Sequence, residues 1–362
     1  MAGSTVEAAD GRSWRRRHLR ALLASLVIAA GFFWLLEAGG LPVVPARRAF
    51  AELRLWTVPV YALIWLSVLL LRSVRWHFLL APIQVVPMKR IVTVSLIGNG
   101  ALILLPFRLG ELVRPAMIRK KGELSGWAAT GTVGAERIID GLILSALLVA
   151  TLPLASTFSP LPDKIGNLPI SPSVVPGAAY SAATMFALAF VAMAVFYWRR
   201  EFARRITHRI LGRVSTRLAD DLSDAVERVA SGFGFLPRLR YSVPYILVTL
   251  LYWAINVGGF EFLLWGVGLD GVTFFRACVV IGVLSLGILL PSAPGFFGAF
   301  QFSLYAGLAL FFAPHRVIAN GAAFVFIVYV TQISLDLLAG LVSLLIEHAS
   351  ARDLVAPELE RE

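Results

Sequence analysis

Leu105-Pro106-Phe107-Arg108-Leu109-Gly110-Glu111-Leu112-Val113-Arg114-Pro115 sets two arginines and a glutamate between apolar runs. The apolar run before it, 91–105, stops at Pro106, and the stretch after it, 111–121, is strongly charged. Further on, Glu136-Arg137-Ile138-Ile139-Asp140 places three more charges inside another apolar run. A charge near a bilayer centre costs roughly 2.5–3.5 kcal/mol, so six facing lipid would cost on the order of 15–20 kcal/mol. The chain can carry them only if they pair with one another or line a wet cavity.

Composition establishes that the surroundings are lipid. The chain is 58% hydrophobic and 15% charged, where a soluble domain carries about 25% charged residues; its mean hydropathy is +0.78. The net charge of +11 does not call for nucleic acid. Most of the lysines and arginines fall in segments that the topology below places in the cytoplasm, which is the positive-inside bias. Cys278 is the single cysteine, so no intramolecular disulfide forms, and its apolar surroundings read as packing. No zinc-type spacing, P-loop or dinucleotide fingerprint is present, and no metal or cofactor is expected.

Six apolar segments, 19–38, 57–80, 126–152, 177–198, 241–268 and 317–346, meet the length of about 20 residues that a crossing helix needs. The first follows a basic tail, 1–18, but exceeds a signal-peptide core and has Glu37 where cleavage wants small residues; it reads as an uncleaved span. Two further runs, 91–105 and 273–290, are short and end at Pro106 and Pro291. Non-helical backbone at membrane depth survives only where protein or a watery cavity surrounds it, so both read as re-entrant hairpins; kinks in ordinary tilted spans are the alternative.

The expected fold is therefore an all-α integral membrane protein with about six transmembrane helices and two opposed re-entrant helical hairpins. Both termini are assigned to the cytoplasm of an inner-membrane protein. Arg72, Arg75, Lys89 and Arg90 mark one return to the cytoplasm, and the Pro-rich segment 153–176 reads as external. The membrane domain covers 19–346, with a disordered tail over 347–362. Residues 57–152 and 241–346 each run span, hairpin, span in opposite orientation, the inverted-repeat plan of many transporters, whose interrupted segments point to a midplane site.

The candidate site follows from the charges. Asn99 supplies an amide just before the first break. If a helix resumes near Gly110, Glu111 and Arg114 share a face; Glu136 and Asp140 do so in the next span, with Arg137 beside them. Arg108, Arg114 and Arg137 balance Glu111, Glu136 and Asp140, and a neutral cluster can be desolvated at tolerable cost. Arginine forks suit phosphate and carboxylates suit an ammonium, so a phospholipid headgroup fits; a purely structural ion network accounts for the same residues. Glu261, Gln301, Gln332 and Asp336 are candidate gating or coupling groups.

In the cytoplasmic segment 199–240, Ile206, Ile210, Val214, Leu218, Leu222 and Val226 recur every four residues beside a run of arginines. That pattern suits an amphipathic helix on anionic inner-leaflet lipid, or one packed on the membrane domain. Asp220, Asp221 and Asp224 resemble a metal-binding acidic motif only weakly, with no nucleotide-binding domain around them.

Asn99, the 105–114 stretch, Glu136-Arg137-Ile138-Ile139-Asp140 and Pro291 … Pro294-Gly295 … Gly298, in this order, resemble the flippase-like membrane family that includes the transmembrane region of lysylphosphatidylglycerol synthase. The resemblance covers roughly 20–346. It implies a multi-pass protein that binds a polar-headgroup lipid, aminoacylated or glycosylated, or moves it across the inner membrane. The family often carries Glu where this chain has Gln301. Full-length synthases add a soluble aminoacyl-transferase domain after the membrane part, and this chain ends soon after its last span, so enzymatic activity is not expected. The alternatives are an enzyme transferring an amino acid or sugar to a lipid carrier, and a non-transporting partner of a separately encoded transferase.

Overall fold

The structure, a computed structural model, describes residues 23–119, 124–199, 231–289 and 293–359. The basic tail, the amphipathic pattern at 206–226 and Pro291 lie outside the described residues.

In chain order the helices are α1 (Leu23–Ala38), α2 (Thr57–Leu80), α3 (Met88–Leu104), α4 (Val113–Ile118), α5 (Gly126–Thr151), α6 (Val174–Trp198), α7 (Leu239–Gly266), α8 (Phe274–Gly287), α9 (Ala299–Ala309), α10 (Pro314–Ile318) and α11 (Asn320–Leu359). The protein is an all-α membrane protein. Among the described residues, four helical stretches are long and apolar enough to cross a bilayer: Thr57–Leu80, Val174–Val195, Leu239–Gly266 and Pro314–Glu347. α5 has the length, 26 residues, but carries Glu136, Arg137 and Asp140; Leu23–Ala38 is a shorter apolar helix. Large apolar side chains such as Leu63, Leu188, Leu247 and Leu345 are exposed on the outside, which is how a surface solvated by acyl chains looks.

Both interrupted runs are helical hairpins. α3 ends where Pro106 forces the residue before it out of helical geometry: Leu105 has ψ 135, as a pre-proline residue prefers. A 3₁₀ turn over Pro106–Leu112 follows, reversed by Phe107 and Arg108 at φ 53 and 59. The returning leg lies so close to α3 that Gly110 abuts the backbone of Ala101 and Leu102, and Gly98 abuts the Arg114 side chain. In the second hairpin α8 and α9 run antiparallel, Gly307 against Val280 and Gly287 against Ser303. These reversals are not kinks in continuous spans.

The helix before each hairpin packs on its counterpart in the other unit. α2 and α7 run antiparallel, with Thr57 beside Gly266 and Tyr61 beside Gly259, so the two units do have opposite orientation. Each hairpin lies against the last helix of the other unit. Gly100 of α3 meets Gly340 of α11, and Gly282 of α8 meets Leu148 of α5. This exchange is the packing expected of interlocked inverted repeats, and it brings the two hairpin tips together. Arg108 Nη1 donates to the Ile288 carbonyl at 2.9 Å, and its guanidinium stands 5.7 Å from the centre of the Phe296 ring.

Candidate functional site

α5 turns Glu136 and Asp140, one helical turn apart, toward α2. There they meet Arg75, which is wholly enclosed. Arg75 donates to both oxygens of Asp140 at 2.5 Å and to Glu136 Oε1 at 2.8 Å. Its guanidinium lies 4.8 Å from the centre of the Tyr252 ring and 6.0 Å from that of Tyr245, so aromatic faces close the remaining side. Arg114, from the first hairpin, reaches Glu136 Oε2 at 2.9 Å and stacks 4.2 Å above Trp76. Trp76 is itself fixed by a 2.9 Å hydrogen bond from its indole N–H to Thr132 Oγ1. Arg137 donates to Glu136 Oε1 at 2.7 Å, and Arg72 Nε stands 3.9 Å from the same oxygen.

At the hairpin tip, Arg108 grips Glu111 through Nη2 at 2.6 Å and Nε at 3.0 Å. The expectation that Glu111 and Arg114 share a helical face is therefore corrected. The left-handed residues Phe107 and Arg108 delay the next helix to Val113, so Glu111 stays with Arg108 while Arg114 turns to α5.

Arg72 and Arg75 are a second correction. They lie inside the 57–80 helix, as its expected bounds had it, but Arg75 is wholly enclosed and paired with Asp140 and Glu136 instead of marking a return to the cytoplasm. Arg75 is drawn inward because two carboxylates in a low-dielectric interior satisfy its fork. The cluster is consequently not neutral. Arg72, Arg75, Arg108, Arg114 and Arg137 against Glu111, Glu136 and Asp140 leave two positive charges in excess.

Beside this network lies a cavity of about 310 Å³. Its lining includes Arg72, Asn99, Arg108, Glu111, Arg137 and Asp140, with Gln332 and Asp336 of α11 and Asn256 and Tyr252 of α7. Apolar side chains, among them Leu102, Ile103, Leu284, Ile288 and Phe296, complete the wall. The structure thus brings seven of the residues singled out from sequence to one chamber: Asn99, Arg108, Glu111, Arg137, Asp140, Gln332 and Asp336. Gln332 is fixed by donating to the Tyr61 hydroxyl at 2.9 Å.

Arg114 and Glu136 do not line the chamber; they brace the Arg137–Asp140 segment from behind. Glu261 is half-buried on α7, away from the lining. Gln301 is buried at the start of α9, where its Oε1 accepts the Gly298 N–H at 2.7 Å. The sequence analysis missed Arg72, Arg75 and Tyr252. Among the described residues no group of three His, Cys, Asp or Glu side chains could hold a metal ion.

A family model described as lysylphosphatidylglycerol synthase TM region matches residues 22–340. Neither the curated proteins nor the solved structures provide a match.

Proposed function

On the premise that the chain belongs to the lysylphosphatidylglycerol synthase TM-region family, whose members act on or with membrane lipid, we propose that it carries the polar headgroup of a lipid across the membrane in flippase-like fashion. The observation that supports this most is the chamber's mixed lining. Arg72, Arg108 and Arg137 keep 17%, 20% and 26% of their side-chain surface exposed inside a protein whose outer face is apolar. Charges at that depth need polar company, and a headgroup supplies it while acyl chains follow the apolar wall. A volume of about 310 Å³ lies at the lower end of ordinary ligand cavities, roughly 300–1,000 Å³.

In this reading Arg108 and Arg137 contact the headgroup, and Arg75, Arg114 and Glu136 hold the wall in place. Asn99, Gln332 and Asp336 contribute polar contacts from the facing helices. The setting is the inner membrane with both termini cytoplasmic. The test is reconstitution into liposomes with a fluorescent lipid whose outer-leaflet fraction is read by a membrane-impermeant quencher. Wild-type protein should raise the quenchable fraction toward completion, and Arg108→Ala should slow it at least tenfold. Unchanged leaflet exposure with folded wild-type protein removes the reading.

A further inference from the structure

We propose that Arg90 and Arg276 are paired latches, one at each membrane face, whose alternate opening gives the chamber access to one side at a time. The proposal rests on the translocation reading above and adds the groups that gate it.

The two arginines occupy matching places in the two units. Each is the third residue of the first helix of its hairpin, α3 starting at Met88 and α8 at Phe274. Each touches the end of its own returning leg and also the end of the last helix of the other unit. Arg90 donates to the Met117 carbonyl of α4 at 3.1 Å and to Glu347 Oε1 of α11 at 3.0 Å. Arg276 stands 5.6 Å from the centre of the Phe311 ring, just past α9. It donates to the carbonyl and hydroxyl oxygens of Ser156, just past α5, at 2.9 and 3.2 Å, and to the Gly271 carbonyl at 2.9 Å. Because the two units have opposite orientation, the pairs lie at opposite faces, Arg90 on the side assigned to the cytoplasm.

Each latch ends the same series of contacts. α3 and α11 line the chamber with Asn99 and Asp336, meet next at Gly100 and Gly340, and finish at Arg90 and Glu347. α8 and α5 line it with Ser285 and Asp140, meet at Gly282 and Leu148, and finish at Arg276 and Ser156. Both interfaces are shut here, and parting one opens a path from the chamber to one face while the other stays closed. Their chemistry differs. Arg90 and Glu347 form an ion pair with 46% and 31% of their side-chain surface exposed, weak enough to break on every cycle and open to screening by salt. Arg276 holds neutral oxygens, which salt does not screen.

The experiment reads access to the chamber directly. Cys278 is the single cysteine, so Cys278→Ala with Ser285→Cys leaves one thiol, placed in the chamber lining. Its labelling by a small membrane-impermeant methanethiosulfonate is followed in intact cells for the external face and in inside-out vesicles for the cytoplasmic face. Arg90→Ala should speed labelling about threefold to fivefold from the cytoplasmic face alone, in keeping with the loss of an exposed pair. Arg276→Ala should do so from the external face alone. Salt at about 1 M, where the screening length is about 3 Å, should reproduce the first effect and not the second. Arg90→Glu combined with Glu347→Arg should restore most of the protection, which a general loosening of α3 would not allow. Unchanged labelling in both single variants, equal acceleration from both faces, or a charge exchange that restores nothing overturns the latches. Lipid movement by the two-substitution background protein in liposomes is measured in parallel. Its absence together with face-specific labelling removes the translocation reading and keeps the latches, whereas lipid movement without face-specific labelling removes the latches and keeps translocation.

Discussion

Arg75 of α2 and Asp140 of α5, 65 residues apart in sequence, are joined by a two-armed ion pair with both nitrogen–oxygen distances at 2.5 Å. The pair ties the two helices that flank the first hairpin, and through Glu136 it also holds Arg114 of that hairpin. The wall of the chamber therefore depends on a side chain that never reaches it.

Removing that tie has a defined cost. Arg75→Met fills similar volume but leaves Asp140 with Arg137 at 3.8 Å as its nearest cation. Breaking a buried pair from one side destabilises by about 3–5 kcal/mol. Arg75→Lys should fall between this variant and the wild type, because one ammonium cannot reproduce a planar fork shared by two carboxylates. Unfolding midpoints in mild detergent measure the order, and an Arg75→Met protein that unfolds with the wild type would contradict it.

Arg75 also shows where sequence stops being informative. Six charges and two prolines were enough to place the hairpins, because proline constrains its own residue and the one before it whatever surrounds them. An arginine five residues before the end of an apolar run looks the same whether its head reaches water or folds inward. One signal was present: Arg72 and Arg75 lie three apart on one face, and Trp76, Phe78, Leu79 and Leu80 carry the apolar pattern past them. The pairing of Glu111 was less legible still. It depends on Phe107 and Arg108 adopting φ 53 and 59, a conformation that neither residue favours locally and that the packed hairpin imposes.

The tightness of that hairpin separates two glycines. A methyl group at Gly110 would land on the backbone of Ala101 and Leu102, whereas one at Gly134 on α5 meets nothing within 4 Å. Overpacking against backbone costs about 1–3 kcal/mol or more, while Gly→Ala on an open helical face gains roughly 0.5–1 kcal/mol. Gly110→Ala should therefore lower the melting temperature and Gly134→Ala raise it slightly. Equal shifts for the two would mean that the hairpin legs are not in contact.

The tip-to-tip contact is testable apart from transport. Arg108 joins the hairpins through the 2.9 Å bond to the Ile288 carbonyl. Arg108→Ala deletes that bond, the contact with Phe296 and both bonds to Glu111, and leaves the Arg75 pairing with Asp140 and Glu136 untouched. Hydrogen–deuterium exchange should speed up over 105–112 and 285–298 and stay unchanged over α5, since local opening follows the loss of local contacts. Faster exchange spread over the whole protein would show that Arg108 supports the fold at large instead.

The geometry of Gln301 gives the position a structural role. Its Oε1 accepts the Gly298 N–H at 2.7 Å, which is one half of a capping box; Gly298 has no side chain to supply the other. Loss of a cap costs about 0.5–2 kcal/mol. Gln301→Ala should therefore release the Gly298 amide to exchange, and Gln301→Glu, which keeps an acceptor beside the positive end of α9, should keep it protected. If α9 needs only an acceptor here, a glutamate satisfies it as well as this glutamine does. Protection lost in both variants would show that the amide group of Gln301, rather than an acceptor oxygen, is what the site needs.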